Sequence, residues 1–428
     1  MASVISRSWV PEDRSGLPRR DRRGGDYQAY VPDFLTSRSF SLAGPVAADV
    51  ADAELAIAEL DRTAPALAST EALARILLRA ESVASSRIEG LQVGPRRLLQ
   101  AAAALEEGRD PGDVSAAEVL GNIEAMDYAL GAVGTGSAIT LPLLLEAHAR
   151  LLKRSRLAEH GGVLRTQQNW IGGSNYTPVG AAFVPPPPEL VPDLMEDLCA
   201  FCSHDDLPAV AQAAIAHAQF ETIHPFVDGN GRVGRALIQM IFRRRGLAQN
   251  VVPPVSLILA TRTNDYLHGL SAMRYVGDVD SPDAQRGLDL WLGTFAAACT
   301  RAVADAAAFQ QSVTEIQAGW RTRLGAVRAD SAALRLVDVL PGTPVLSAAT
   351  ASHLIDRSLQ STLDGISRLV DAGILAPTRE HRQRGQVYEA RDIILRFSAL
   401  ERQLASPTGD TQIDPPTRPV PARMKLGL

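Results

Sequence analysis

The stretch His224-Pro225-Phe226-Val227-Asp228-Gly229-Asn230-Gly231-Arg232-Val233-Gly234-Arg235 decides how the chain is read. Pro225 disfavours helical geometry in the residue before it, so a helix ends near Ile223 and His224 turns out of it. Gly229 and Gly231 flank Asn230 and let the backbone turn tightly, bringing its N–H groups close to a ligand. A new helix begins after Gly231. Free N–H groups at a helix start attract anions, and Arg232 and Arg235 add fixed positive charge one turn apart. Asp228 stands where it could hold Mg²⁺ against phosphate oxygens. His224 is the nearby group whose ordinary pKa suits proton transfer at neutral pH. A base, a metal carboxylate, an anion nest and two arginines within twelve residues describe phosphate-ester chemistry.

Outward from this string, apolar residues recur at helical spacing over 50–60, 71–84, 116–130, 141–152, 190–202, 209–222, 235–245 and 287–308. Between 164 and 188 the period breaks. Trp170, Ile171, Gly172, Gly173, Tyr176 and Thr177 suggest a short hairpin that ends at the proline run 185–188. The fold expected is mainly α with one small β feature. A second unit begins near Asp330, with short helical segments at 332–339, 348–355 and 359–372. Two strands follow at 374–379 and 386–390, around a turn carrying Arg382 and Arg384. Three short helices and a basic ribbon are the layout of a winged helix-turn-helix.

With 428 residues, two or three domains are expected. Apolar residues make up 46% and charged ones 21%, a globular balance. No apolar run is long enough to span a membrane. Arg19, Arg20, Arg22 and Arg23 have no apolar stretch after them, so residues 1–25 read as a disordered tail rather than an export signal. Residues 403–428, rich in Pro and polar side chains, read as a second tail. Three cysteines make no disulfide framework and fit a cytoplasmic location. Cys199 and Cys202 lack a second pair, which argues against zinc. A net charge of -5 gives the whole molecule no bias toward nucleic acid, although 379–391 holds a local arginine excess.

The string 224–235 resembles, residue by residue, the signature of Fic (Fido-fold) proteins, H-x-F-x-D/E-G-N-G-R-x-x-R. The resemblance implies a Fido-fold catalytic core at 105–305 with a hairpin flap. It also implies an N-terminal helical region at 26–104, a connecting helix at 306–329 and a winged helix at 330–402. It implies transfer of AMP from ATP to a hydroxyl of a target protein, with His224 as base and Asp228 holding Mg²⁺. Asn230 and the amides around Gly229 and Gly231 would hold the α-phosphate, Arg232 the β-phosphate and Arg235 the γ-phosphate. Gly231, where kinase-like members carry lysine, favours AMP transfer over phosphate transfer. The flap around 170–178 would align the target as an added strand.

Ser85-Ser86-Arg87-Ile88-Glu89-Gly90 is the second motif. Ser85 and Glu89 share a helix face and Gly90 is a natural terminator. Beside the first string it resembles the family's inhibitory motif, S/T-x-x-x-E-G/N, in which Glu89 would pair with Arg235 and block the γ-phosphate position. Tyr266 and Trp291 are candidates either for an adenine pocket or for the core. The alternatives left open are a DNA-binding regulator that senses nucleotide, contacting DNA through 330–402, and a Fic enzyme that removes AMP or uses another donor. A homodimer is compatible with the resemblance, and no membrane partner is expected.

Overall fold

The computed structural model describes residues 1–11, 18, 21–63, 70–106, 108–378 and 386–404. Two short strands open the chain, β1 (Ser3–Trp9) and β2 (Gly25–Val31), paired antiparallel with Ser3 opposite Val31. The expected tail at 1–25 is therefore corrected over Ser3–Trp9. Its alternating pattern is too short and polar to stand out, and it is secured by distant bonds: Ala2 bridges Gly277, and the Tyr30 N–H donates to Val184 O (2.9 Å).

The helical body follows: α1 (Gly44–Thr63), α2 (Thr70–Ile88), α3 (Pro95–Glu106), α4 (Val114–Gly131), α5 (Leu141–Leu152), α6 (Val191–Cys202), α7 (Ala209–Ile223) and α8 (Asn230–Arg244). Then come α9 (Val255–Thr261), α10 (Thr263–Ala272) and α11 (Pro282–Leu324). Every residue of α7 is buried, so it is the axis around which α1, α6, α8 and α11 pack. The expected connecting segment is no separate element. α11 runs unbroken for 43 residues, from a Ser281 cap to Gly325 at φ +70°. α3, α9 and α10 lacked a legible period, being alanine-rich or short.

The expected flap hairpin is instead a loop closed by one antiparallel bridge, in which Ile171 and Phe183 exchange N–H···O bonds of 2.8 and 3.1 Å. Gly172, Gly173 and Gly180, all at φ near +75°, together with Pro178, prevent a longer ladder.

The C-terminal unit comprises α12 (Ala332–Val339), β3 (Val345–Ser347), α13 (Ala348–Ile355), α14 (Leu359–Asp371), β4 (Ala376–Pro377), β5 (Val387–Glu389) and α15 (Arg391–Leu404). Ser331, Ser347 and Ser358 each cap a helix by accepting an N–H three residues on. The strands form one antiparallel sheet in the order β3-β5-β4, one strand more than expected. Arg379, Arg382 and Arg384 lie outside the described residues, as do residues 405–428. Arg391 is paired with Glu389 at 2.8 Å. The unit's core is continuous with α11: Trp320 donates to Asp392 (2.8 Å), Gln317 to Val337 O (3.0 Å), and Phe309 packs edge-on against Phe397.

Candidate active site

The site lies where α7 ends and α8 begins. His224 caps α7 in the left-handed region, at φ 51° and ψ 59°. A non-glycine residue there carries strain, so other groups must hold it. Arg165, itself buried, does most of this. Its Nε donates to His224 O (2.8 Å), and its NH2 donates to Pro186 O (2.5 Å) and Ile223 O (3.2 Å). Asn169 Nδ2 bridges His224 O and Phe226 O, each at 3.1 Å. Burial pushes the His224 imidazole down to about 4, against the Glu221 carbonyl, so at neutral pH the ring is an uncharged acceptor.

The turn from 226 to 230 is closed by one side chain. Asn230 Oδ1 accepts the Phe226 N–H (2.8 Å) and Asn230 Nδ2 donates to Phe226 O (2.9 Å). The amide thus shapes the loop rather than standing free for a ligand. Gly229 sits at φ +81°, and a β-carbon there would meet Leu151 Cδ2 at 2.8 Å. His148 braces the same loop from α5. Its Nδ1 accepts the Gly162 N–H (3.0 Å), so Nε2 carries the proton and donates to Asp228 O (3.0 Å). Its ring stacks on Phe226, centroids 3.7 Å apart, and burial pushes its pKa down to about 4.

At the start of α8 the first N–H groups have no partner within the helix. Asp228, half-exposed at the mouth, accepts from Arg232 NH2 (2.8 Å), and Arg232 Nε is buried without a partner. Arg235 is fully buried. Its Nε donates to Ser85 Oγ (2.9 Å), and its NH2 donates to Ser85 O (2.8 Å) and Glu89 Oε1 (2.8 Å).

Glu89 follows the last residue of α2. Gly90, at φ +84°, ends the helix: its N–H bonds to Arg87 O, and the Leu91 N–H reaches back to Ser86 O. These are the two bonds of a Schellman motif, and they fix where the Glu89 side chain leaves the helix. The carboxylate reaches over the α8 N-terminus so closely that a β-carbon on Gly231 would collide with Oε1. Burial would raise its pKa, but Arg235, Arg232 and His224 outweigh it and hold the carboxyl below the ordinary range. α2 is anchored to the body by Asn122, which donates to Ser82 O (2.7 Å) and Ser86 Oγ (3.0 Å). A second anchor is Glu81, which accepts from Ser256 N–H (2.7 Å) and Oγ (2.6 Å).

The structure thus brings together His224, Asp228, Gly229, Asn230, Gly231, Arg232, Arg235, Ser85, Glu89 and Gly90. Tyr266 and Trp291 are buried in the core. Tyr266 bonds His217 Nε2 (2.9 Å), and Trp291 donates to Ala214 O (2.8 Å). Arg165, Asn169, His148 and Glu221 escaped the sequence reading. The first three act on backbone groups from distant segments and carry no local spacing signal.

This geometry, a histidine turn opening onto an arginine-lined helix start, gathers a helix N-terminus and two guanidinium groups in one place, an arrangement that favours anions. Residues 138–242 match the model of the Fic/DOC family, and residues 47–131 match that of the Fic/DOC family N-terminal region. Over these residues the chain is similar to a Fic domain preceded by that family's N-terminal region. Among curated relatives, "Protein adenylyltransferase fic-1" of Caenorhabditis elegans is 34% identical over 131 residues, covering 30% of this chain and 23% of the relative. "Protein adenylyltransferase Fic" of Drosophila virilis is 32% identical over 187 residues, covering 41% and 34%. The chain thus spans about a quarter to a third of the length of these relatives. A solved Fic family protein from Desulfovibrio desulfuricans G20 is 22% identical, with a TM-score of 0.49 over 82% of this chain and 97% of that one. Among the described residues no helix is long and apolar enough to cross a membrane.

Proposed function

We propose that the chain is a protein adenylyltransferase that moves AMP from ATP onto a hydroxyl of a target protein and is held silent by Glu89. The observation that carries this reading is the Glu89 carboxylate, seated over the α8 N-terminus and bonded to Arg235. A helix start and a buried arginine form an anion site, and a side-chain anion already fills it. ATP then competes with Glu89 for the place of its γ-phosphate, and its α-phosphate is displaced from the line of attack. A misplacement of about 1 Å can cost roughly a hundredfold in rate.

In the active state Arg235 would meet the γ-phosphate, Arg232 the β-phosphate, and the amides after Gly229 the α-phosphate. His224 would take the proton of the target hydroxyl. Mg²⁺ fits the donors present. Asp228 is a single half-exposed carboxylate at the mouth, and this ion commonly takes one or two carboxylates and completes its shell with phosphate oxygens and water. It would withdraw charge from the phosphates as pyrophosphate leaves. Residues 330–402 read as a winged-helix appendage outside this machinery.

The test is labelling with α-labelled ATP. Glu89→Gly should raise automodification and target labelling well above wild type. Arg235→Ala should lose activity even though it frees Glu89, because the γ-phosphate loses its partner. Equal labelling by wild type and Glu89→Gly across a range of ATP and Mg²⁺ would make Glu89 only a helix end, and labelling from γ-labelled ATP would reassign the reaction.

A further inference from the structure

We propose that Glu221 is a positioning residue for His224, fixing the ring with its proton on Nδ1 and balancing the charge that forms when Nε2 accepts the target proton. This rests on His224 being the base of the reaction above. Glu221 lies in the last turn of α7, and its Oε2 is 3.9 Å from His224 Nδ1. Apart from the Glu221 carbonyl, His224 Nδ1 has no hydrogen-bond partner, and Oε1, the other oxygen of the Glu221 carboxyl, is buried with none. A buried polar atom without a partner is costly unless another state of the site uses it. Gly234 on α8 makes the room for this carboxyl, since a β-carbon there would come within 2.9 Å of Oε1.

The step balances as follows. The target O–H bond breaks and its proton joins Nε2. The oxygen's freed pair forms a bond to the α-phosphorus, and pyrophosphate leaves with the electrons of the broken P–O bond. The imidazolium then has Nδ1–H facing a carboxylate, as in the histidine–carboxylate pairs of hydrolytic triads.

The charges around the pair set its pH behaviour. Around Glu221 are Arg235 from α8, Glu89 from the end of α2, Arg274 following α10, Tyr266 from α10 and His217 from α7. Facing His224 are the Glu221 carbonyl, Arg165, Glu89 and Arg274. Burial raises the Glu221 carboxyl to about 7, with Arg235 opposing and Glu89 adding to the rise. A carboxyl raised in this way is neutral below about 7 and charged above it, so the counter-charge, and with it the rate, grows as pH rises through that range. Removing Glu89 takes away one of the negative charges and moves the limb to lower pH.

Two readouts separate this role from a structural one. In ¹⁵N-labelled protein, the His224 ring signal is the one missing from His224→Ala. Glu221 is neutral where the ring titrates near 4, so the signature is its own ionisation: in the parent it should add a second inflection near 7 to the ring signal, and in Glu221→Gln that inflection should vanish. In the Glu89→Gly background, Glu221→Gln should lower kcat roughly ten- to a hundredfold, leave KM for ATP within about twofold, and abolish the limb near neutrality. The Glu221 carbonyl survives in the Gln variant. An inflection near 7 that persists in Glu221→Gln therefore comes from another group, the carbonyl alone orients His224, and the proposal fails. If the Gln variant does not fold, the parent's own titration decides: ionisation of Glu221 should add a second inflection to the His224 ring signal near 7, and a single inflection overturns the pairing. The ring measurement stands even if no AMP transfer is found, so the two readings fail separately.

Discussion

Segments 224–235 and 85–91 meet at one guanidinium, but they are built on different length scales. The turn of the first is closed by its own residues, although Arg165, Asn169 and His148 brace it from outside. Asn230 reaches Phe226, Arg232 reaches Asp228, and the Val233 N–H returns to Gly229 O, each across four positions. The second gains its role only when α2 docks, because Glu89 and Arg235 are 146 residues apart. A motif made by short-range bonds can be read from spacing alone. A motif made by docking can be suspected from spacing, and acquires meaning only from the packing that brings it in.

The strongest way to test the local half is at its chemical end. His224→Ala should cut AMP transfer on the order of 10²–10⁴-fold while ATP still binds, because the base acts in the chemical step and the arginines and amides act in binding. Isothermal titration beside single-turnover labelling, both in the Glu89→Gly background, separates the two. Retained transfer in a folded His224→Ala protein would remove the residue from the mechanism.

How much was legible follows the same division. The turn at His224, the helix start and the Ser85–Glu89 face were all readable, because Pro, Gly and the i,i+4 spacing act locally. Arg165 and Asn169 were not. They stand in an irregular segment where their types carry no period, yet they hold the left-handed His224 in place. β1 and β2 were missed for a related reason, since their anchors Gly277 and Val184 lie far along the chain. α14 shows a mixed case. Its buried stripe of Thr362, Gly365, Ile366 and Leu369 was visible as a helix, but Leu359 and Leu363 remain exposed and no base-reading pattern accompanies them.

The docked half is tested at Ser85. Ser85→Ala removes the acceptor of Arg235 Nε while leaving Ser85 O and Glu89 in place. A hydrogen bond to a buried charge is worth about 1.5–3 kcal/mol, so chemical denaturation should show a loss of that order. Labelling should rise less than in Glu89→Gly, since the Glu89 carboxylate keeps its own bond. A Ser85→Ala protein as active as Glu89→Gly would mean that the docking of α2, rather than the carboxylate, enforces silence.

The smallest effects come from the two asparagines of the turn, and they can be ranked in advance. Asn230→Ala leaves the buried Phe226 N–H with no acceptor, whereas Phe226 O keeps its bond from Asn169. One orphaned donor costs about 1–3 kcal/mol. Asn169→Ala strands nothing: His224 O keeps Arg165 Nε, and Phe226 O keeps Asn230 Nδ2. It also removes Asn169 Oδ1, which is itself buried without a partner. Its cost should stay below about 1 kcal/mol, because no buried group loses its last partner. Measured as a pair by urea unfolding, Asn230→Ala should be the more damaging substitution, and an equal loss from Asn169→Ala would show that the His224 turn depends on that donor in spite of Arg165.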